Sequence, residues 1–400
     1  MISHSRPQQE QTAPKPQDSA PQDSERALTA RLRAVHRAAS DLRRGIPVVL
    51  RAPGAVGENW LLLAAETAGE RGVEELRRLA AVPPVLLLAP TRAAAVLHRP
   101  VVSLGGAPEG EAVALRLPAA LMIPAALRAL ADPTLDQARP AEPEALAAAP
   151  GTAGSALALA KLGRLLPAVL AAPLAREIAD REIAARRLLE AGADEVRAYP
   201  EAAALSLLRA AEAKVPLEDA PDARIIAFRV PASGVEHLAI LVGRPEKVAV
   251  PLVRLHSECF TGDVLGSLRC DCGLQLRGAI KRMGEEGAGI LLYLAQEGRG
   301  IGLLNKLRAY ALQDRGLDTL DANRALGWGA DERSFLVAAT MLEALGVHQL
   351  RLLTNNPDKV EALGACGVSV AERVPLAFAP NGVNDRYLET KARRFGHLLG

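Results

Sequence analysis

Three of the four cysteines in this 400-residue chain fall within "CFTGDVLGSLRCDC", at Cys259, Cys270 and Cys272. Thiolates are soft donors that favour zinc. The Cys-x-Cys pair brings two sulfurs together on a turn or tight loop. Three protein ligands without a fourth leave one coordination position for water, the pattern of a catalytic zinc rather than a closed structural one. Such an ion lowers the pKa of its water from about 15.7 toward about 7. With His256 as a fourth ligand the site would instead be structural, and three buried, inert thiols are the remaining alternative. Cys366, in "LGACGV" at a helix end, reads as core.

Hydrophobic residues make up 49% of the chain and charged residues 24%, with a formal net charge of +2. That is the profile of a soluble globular protein with a real core. Aromatics are only 3%, so Ala, Leu and Val must fill it. The near-neutral balance argues against a nucleic-acid partner, which usually leaves a cationic signature. A small anionic ligand needs only a local cluster of Arg and Lys. Apolar runs such as "VPPVLLLAP" fall well short of the roughly 18 residues of a membrane span. The N-terminus "MISHSRPQQEQTAPKPQDSAPQDSE" has no apolar core of a secretory signal. A cytoplasmic protein with reduced thiols is expected, which argues against disulfides.

The elements that must position the cysteines are of mixed α/β type. Residues 1–25, rich in Pro, Gln, Ser and Asp, read as a disordered tail. A first domain, 26–205, opens with the amphipathic helix "ALTARLRAVHRAASDLRRG", then the strand "IPVVLRAP", then "PPVLLLAPTRAAAVL" as strand, turn and helix. It closes with the helical stretch "AREIADREIAARRLLEAGADEV", and "YPEAAALSLLRAAEAKVPLEDAP" reads as a joining segment. A second domain, 206–400, begins with the strands "ARIIAFRV", "EHLAILVG" and "KVAVPLVRLHSE" and then alternates strands with helices. Two domains result, each a mixed sheet with flanking helices.

Other stretches of the second domain also carry chemistry. "QEGRGIG" opens a helix, so its amides can face an anion, and Arg299 adds a planar fork suited to phosphate. Asp331 and Arg333 stand in "GADERSF", where an Asp ahead of a helix is also an ordinary N-cap. Tyr310 flanks a helix face expected to be apolar through Leu304, Leu307 and Ala311.

Together "VRLHSECFTGDVLGSLRCDCGLQL", "QEGRGIGLLNKLRAYALQDRG", "DTLDANRALGWGADERSF" and "RLLTNNPDKV" resemble GTP cyclohydrolase II, over about residues 206–400. The resemblance implies hydrolytic opening of the GTP imidazole ring, with loss of C8 as formate and release of pyrophosphate. This is the first step of riboflavin biosynthesis. It implies Cys259, Cys270 and Cys272 as zinc ligands. It implies Arg254, Leu255, His256, Ser257, Glu258, Gln275, Glu297, Gly298, Arg299, Thr319, Thr354 and Lys359 as the GTP site. Asp331 takes the place of the proton acceptor and Tyr310 that of an active-site phenol. Arg333 stands where the family has a proposed nucleophile at the α-phosphate. Because a protonated guanidinium is a poor nucleophile, engagement of that phosphate is the role expected of it. Mg²⁺ would travel with the GTP phosphates, and a homodimer is implied. One departure is Ala295, where many relatives have Arg before "QEGR".

The stretch "AVHRAASDLRRGIPVVLRAPGAVGENWLLLAAETA" resembles the start of 3,4-dihydroxy-2-butanone 4-phosphate synthase. That family's acidic loop is reduced here to "RAPGAVGENW", with Glu58 alone, and one carboxylate cannot replace the several oxygens Mg²⁺ requires. His36 and His98 are isolated and read as structural. A degenerate first domain is therefore expected. A bifunctional enzyme, an inactive GTP-binding regulator and a structural zinc protein that binds a macromolecule stand as alternatives.

Overall fold

The computed structural model describes residues 20–52, 59–100, 112–135, 141–146 and 151–398. Residues 53–58 of the "RAPGAVGENW" loop, Glu58 among them, lie outside the described residues. Among the described residues, two mixed seven-stranded sheets organise the fold. The first uses β1 (Val48–Arg51), β2 (Asn59–Ala64), β3 (Val85–Leu88), β4 (Val113–Arg116), β5 (Glu144–Ala145), β6 (Ala168–Leu174) and β7 (Leu189–Gly192). Their order is β5-β4-β3-β6-β2-β1-β7, and only β1 and β7 run parallel. The second uses β8 (Leu208–Lys214), β9 (Arg224–Arg229), β10 (Glu236–Gly243), β11 (Leu252–Ser257), β12 (Ala288–Leu294), β13 (Gln349–Leu353) and β14 (Ser369–Val374). Its order is β14-β13-β11-β12-β10-β9-β8, parallel from β14 to β12 and antiparallel from there to β8.

The helices of the first half are α1 (Ala20–Arg43), α2 (Glu70–Leu79), α3 (Pro90–Leu97), α4 (Pro124–Ala131), α5 (Ala153–Leu162), α6 (Arg176–Ala184) and α7 (Ala193–Leu205). Those of the second are α8 (Cys272–Glu286), α9 (Leu303–Asp314), α10 (Thr319–Ala325), α11 (Leu336–Ala344), α12 (Pro357–Ala365) and α13 (Asp385–Phe395). None among the described residues is long and apolar enough to cross a membrane.

Strand alternation sorts the core into layers. Val48, Leu50 and Leu62 face one core, and Val49, Leu61 and Leu63 face the opposite one. The first of these is closed by α1, α5, α7 and α11 and continues without a break onto the second sheet at Phe228, Leu255 and Leu292. The opposite core, under α2, α3 and α4, also takes in Ile301, Ala309, Leu312, Ala322 and Trp328 of the second half. The two halves therefore share both cores of the first sheet. A third core, around Met283 and Leu291, lies between α8 and the outer face of the second sheet.

The structure revises several expectations. Helix α1 begins at Ala20, inside the stretch read as tail. The stretch read as continuous helix before residue 196 is split by β7, which pairs with β1 after Arg186 turns left-handed at φ 56°. The joining segment is not a linker. Its first residues complete α7, and Leu208–Lys214 form β8. All seven residues of β8 are exposed, so it shows no alternation and is held by backbone pairing to β9. Leu304 and Leu307 are 56% and 48% exposed. The buried face of α9 is instead Asn305, Lys306, Ala309 and Leu312, because that side meets the first half and a polar pocket rather than an apolar core alone.

Polar contacts reinforce the junction between the halves. Arg308 pairs with Glu66 at 2.9 Å and with Asp132 at 2.8 Å, all three side chains being largely buried. Asn305 donates to the Arg164 carbonyl at 3.0 Å. Removing one partner of such an arrangement leaves buried charge uncompensated, at a cost of about 3 kcal/mol. Arg308→Ala should lower the unfolding free energy by about that amount in a denaturant titration monitored by circular dichroism.

Candidate active site

Strand β11 delivers Arg254, Leu255, His256 and Ser257 to one end of the second sheet, and Glu258 and Cys259 follow directly. Phe260–Val264 then form a single π-helical turn. It folds back so that Cys259 meets Cys270 and Cys272, the last being the first residue of α8. The three sulfurs lie within 4.8 Å of one another, and those of Cys259 and Cys270 are 3.8 Å apart. Gly262 makes this convergence possible, since a Cβ there would lie 2.7 Å from the Cys270 sulfur and 3.0 Å from that of Cys259. Hydrogen bonding from the other two thiols, and then from the Lys306 ammonium, holds the Cys259 thiol well below its ordinary range, while Cys270 and Cys272 are pushed up. Three soft donors this close together are a set that fits a thiophilic divalent ion.

Asp263, which the sequence reading missed, ties this turn together. Its carboxylate accepts from the Cys259 amide at 2.9 Å and from the Tyr293 hydroxyl at 3.0 Å, and bonds His256 Nε2 at 3.1 Å. His256, stacked on Tyr293, is therefore held away from the sulfurs and does not complete them as a fourth ligand. Glu297 anchors the other side, accepting from the Phe260 amide at 2.7 Å and pairing with Lys306 at 2.8 Å. Lys306 Nζ in turn lies 3.0 Å from the Cys259 sulfur. Lys306 carries no apolar signal, yet its position one turn before Tyr310 on α9 could have flagged it.

After β12 the chain makes a tight turn, Glu297–Gly300, in which Gly298 and Arg299 both adopt φ 63°. A left-handed arginine is strained by about 1–2 kcal/mol, and such strain gathers at functional sites. Thr354 follows β13 and is buried, with its hydroxyl accepting from the Asn356 amide. Lys359, on α12, is also buried and donates to the Leu255 carbonyl at 2.9 Å. Burial, and then the neighbouring Arg333 and Arg254, push its ammonium well below the usual lysine range. Burial likewise brings the Arg254 guanidinium down to about 10. Gln275 on α8 donates to Asp271 and to the Leu376 carbonyl. Thr319 opens α10 opposite Gln313.

These residues line one pocket, with Cys259, Cys270, Cys272, Gly298, Arg299, Tyr310 and Arg333 in its wall. Asp331 is not part of that wall but is held by Arg333, which is, through Nε at 2.8 Å and through Nη2. Burial raises the Asp331 carboxyl, but the Arg333 guanidinium outweighs it and keeps it below the usual carboxylate range. Tyr310, its phenol raised by burial, lies 3.5 Å from the Thr261 hydroxyl beside Cys259. Arg254 Nε, Gln275 Oε1 and Arg299 Nη1 are buried without protein partners. Polar atoms left that way are rare, and here they surround a pocket rich in Arg and Lys. A polyanionic ligand would satisfy the two guanidinium nitrogens, and an N–H or O–H group on the same ligand would satisfy the amide oxygen.

A family model described as GTP cyclohydrolase II matches residues 208–375. A GTP cyclohydrolase-2 from Azospirillum brasilense is 47% identical over 391 residues, covering 96% of this chain and 99% of that one. This chain belongs to the GTP cyclohydrolase II family. A shorter GTP cyclohydrolase-2, from Citrobacter koseri, is 54% identical over 196 residues, all of its own length but 49% of this chain. Among solved structures, a two-domain 3,4-dihydroxy-2-butanone 4-phosphate synthase from A. baumannii aligns with 86% of this chain and 99% of its own at 19% identity. Its TM-score is 0.34.

Helix α13 lies beyond the GTP cyclohydrolase II match, yet it closes one side of the pocket. Lys391 pairs with Asp271 at 2.5 Å, Phe395 lies 3.5 Å from the Arg299 guanidinium, and Tyr387 and His397 reach the wall. No motif in the sequence marked these residues. Gly262→Ala keeps all three cysteines but places a methyl group between their sulfurs. It should abolish the thiolate charge-transfer band that Co²⁺ produces with the wild-type protein. An unchanged band would show that the methyl group is accommodated without parting the sulfurs.

Proposed function

We propose that this chain is a zinc-dependent GTP cyclohydrolase II. It would convert GTP to formate, pyrophosphate and 2,5-diamino-6-ribosylamino-4(3H)-pyrimidinone 5′-phosphate, the first step of riboflavin biosynthesis. The observation that carries this reading is the convergence of three cysteine sulfurs on the wall of a cation-rich pocket that also holds Tyr310 and Arg333. Atom balance requires two waters at C8, one to open the ring and one to release formate, and a third at the α-phosphate. Cys259, Cys270 and Cys272 would hold the zinc. When bound, the ion supplies Lewis acidity and lowers the pKa of a water.

The remaining work falls to the chain's own groups. Arg254, Arg299 and Lys359 take the triphosphate, and the orphaned nitrogens of the two arginines gain acceptors. Mg²⁺ enters on the phosphates, which supply the hard oxygens it prefers. Gln275 and the 254–258 stretch hold the nucleotide against the cysteine cluster. Asp331, ionised at neutral pH, accepts a proton, and Tyr310 directs its phenol toward the same region. Arg333, in the pocket wall, would neutralise charge developing at the α-phosphate. The first half is read as a degenerate synthase on the sequence of its "RAPGAVGENW" loop. A cytoplasmic homodimer is expected.

The protein incubated with GTP, Zn²⁺ and Mg²⁺ should yield formate and pyrophosphate. Cys270→Ser should yield no formate. Asp331→Asn and Arg333→Ala should each lower kcat by about 10²-fold or more. Silence from the zinc-loaded wild type would favour an inactive GTP-binding regulator. Robust formation of 3,4-dihydroxy-2-butanone 4-phosphate would restore the bifunctional reading.

A further inference from the structure

The loop that carries Asp331 and Arg333 runs between α10 and α11 and has no regular structure of its own. Gln296 holds its far end, donating to the Ser334 carbonyl at 2.7 Å. Its middle is held by one side chain, Glu332. The Glu332 carboxylate accepts from the Gly329 amide at 2.7 Å, and the Glu332 amide donates to the Arg299 carbonyl at 3.0 Å. Glu332 therefore fixes the catalytic loop to itself and to the strained phosphate turn. The same carboxylate oxygen meets Lys161 Nζ at 2.5 Å, and Lys161 belongs to the first half.

Lys161 is not an isolated contact. It lies at the end of α5, and its ammonium sits 5.5 Å from the centre of the Trp328 ring at the base of the same loop. Three residues on, Arg164 turns left-handed at φ 56°. Its carbonyl accepts from Asn305 at 3.0 Å, its guanidinium donates to the Ala295 carbonyl at 3.3 Å, and a Cβ on Gly302 would lie 3.0 Å from its Cδ. A single turn of the first half thus touches the catalytic loop, the end of β12 and the start of α9. These are the segments that carry Asp331 and Arg333, Glu297 and Arg299, and Lys306 and Tyr310.

We propose that Lys161 is a positioning residue for the active site of the second half, acting through Glu332 on the loop that bears Asp331 and Arg333. The first half, on this view, serves as part of the scaffold of the cyclohydrolase site. The inference rests on the role given above to that loop. Without the ammonium, the Glu332 carboxylate is left half-buried with one N–H partner, and the loop gains freedom that folding had removed. A displacement of about 1 Å at reacting groups can cost about 10²-fold in rate, so the loss should appear in turnover before it appears in stability.

The test uses the full chain as wild type, Lys161→Ala, Lys161→Arg, Glu332→Gln and the Lys161→Ala/Glu332→Gln double variant. Amide hydrogen exchange of the 327–334 segment is measured without ligand, and kcat and KM for GTP are measured by formate release. Lys161→Ala should exchange at Gly329 and Glu332 about tenfold faster than wild type, lower kcat about tenfold and leave KM within about twofold. Lys161→Arg should recover both. The double variant should be no worse than Glu332→Gln alone. Wild-type exchange in Lys161→Ala, or additive losses in the double variant, would overturn the proposal. If the wild type turns over no GTP, the functional reading fails, and the exchange comparison alone still decides whether Lys161 holds the loop.

Discussion

The structure depends on what α9 must do on its two sides. Toward the first half, Ala309 and Leu312 enter the core beneath α2, α3 and α4, and Arg308 answers two buried carboxylates. Toward the pocket, Lys306 and Tyr310 stand beside Cys259. A helix packed on one side by apolar burial and ion pairing is a stiff support for polar groups on the other. That stiffness matters because buried ammonium and thiolate groups are stabilised only at hydrogen-bonding distance. The rest of the site follows from this support. Glu297 reaches Lys306 from one side, Asp263 fixes the cysteine turn from the other, and the loop of Asp331 is tied to Arg299 through the Glu332 amide.

The pocket's electrostatics are deliberately unbalanced. Lys359 is buried beside Arg333 and Arg254 and pushed well below the usual lysine range, and Arg254 and Arg299 each keep a buried nitrogen without an acceptor. Such an arrangement works against folding when empty and is relieved by a polyanion. The same principle explains why α13 is anchored where it is. Its Lys391 meets Asp271 between two of the cysteines, and Phe395 offers its ring face to Arg299.

Much of this was legible in the sequence, and for a physical reason. Residues that do chemistry through type and spacing, such as the cysteines, "QEGRGIG" and "GADERSF", cluster in short stretches that a strand end and a helix start bring together. The mixed α/β architecture followed from strand and helix periods. Residues that act through distant partners left no such mark. Asp263 looks like one polar residue among several in "CFTGDV", and its three contacts come from β11, β12 and the cysteine turn itself. Strand β8 has no buried face to betray it. Leu304 and Leu307 mimic a core face while facing outward, because the helix's inner side is occupied by Asn305 and Lys306. The union of the two halves was hidden too. Sequence reading divides the chain after residue 205, within the stretch read as a joining segment, whereas the cores run across it.

The placement of α13 has a practical side. His397 lines the pocket and Phe395 covers Arg299. Foreign sequence joined directly after Leu398 would begin two residues beyond a side chain of the pocket. Rate constants measured on such a fusion would report the added segment as well as the enzyme.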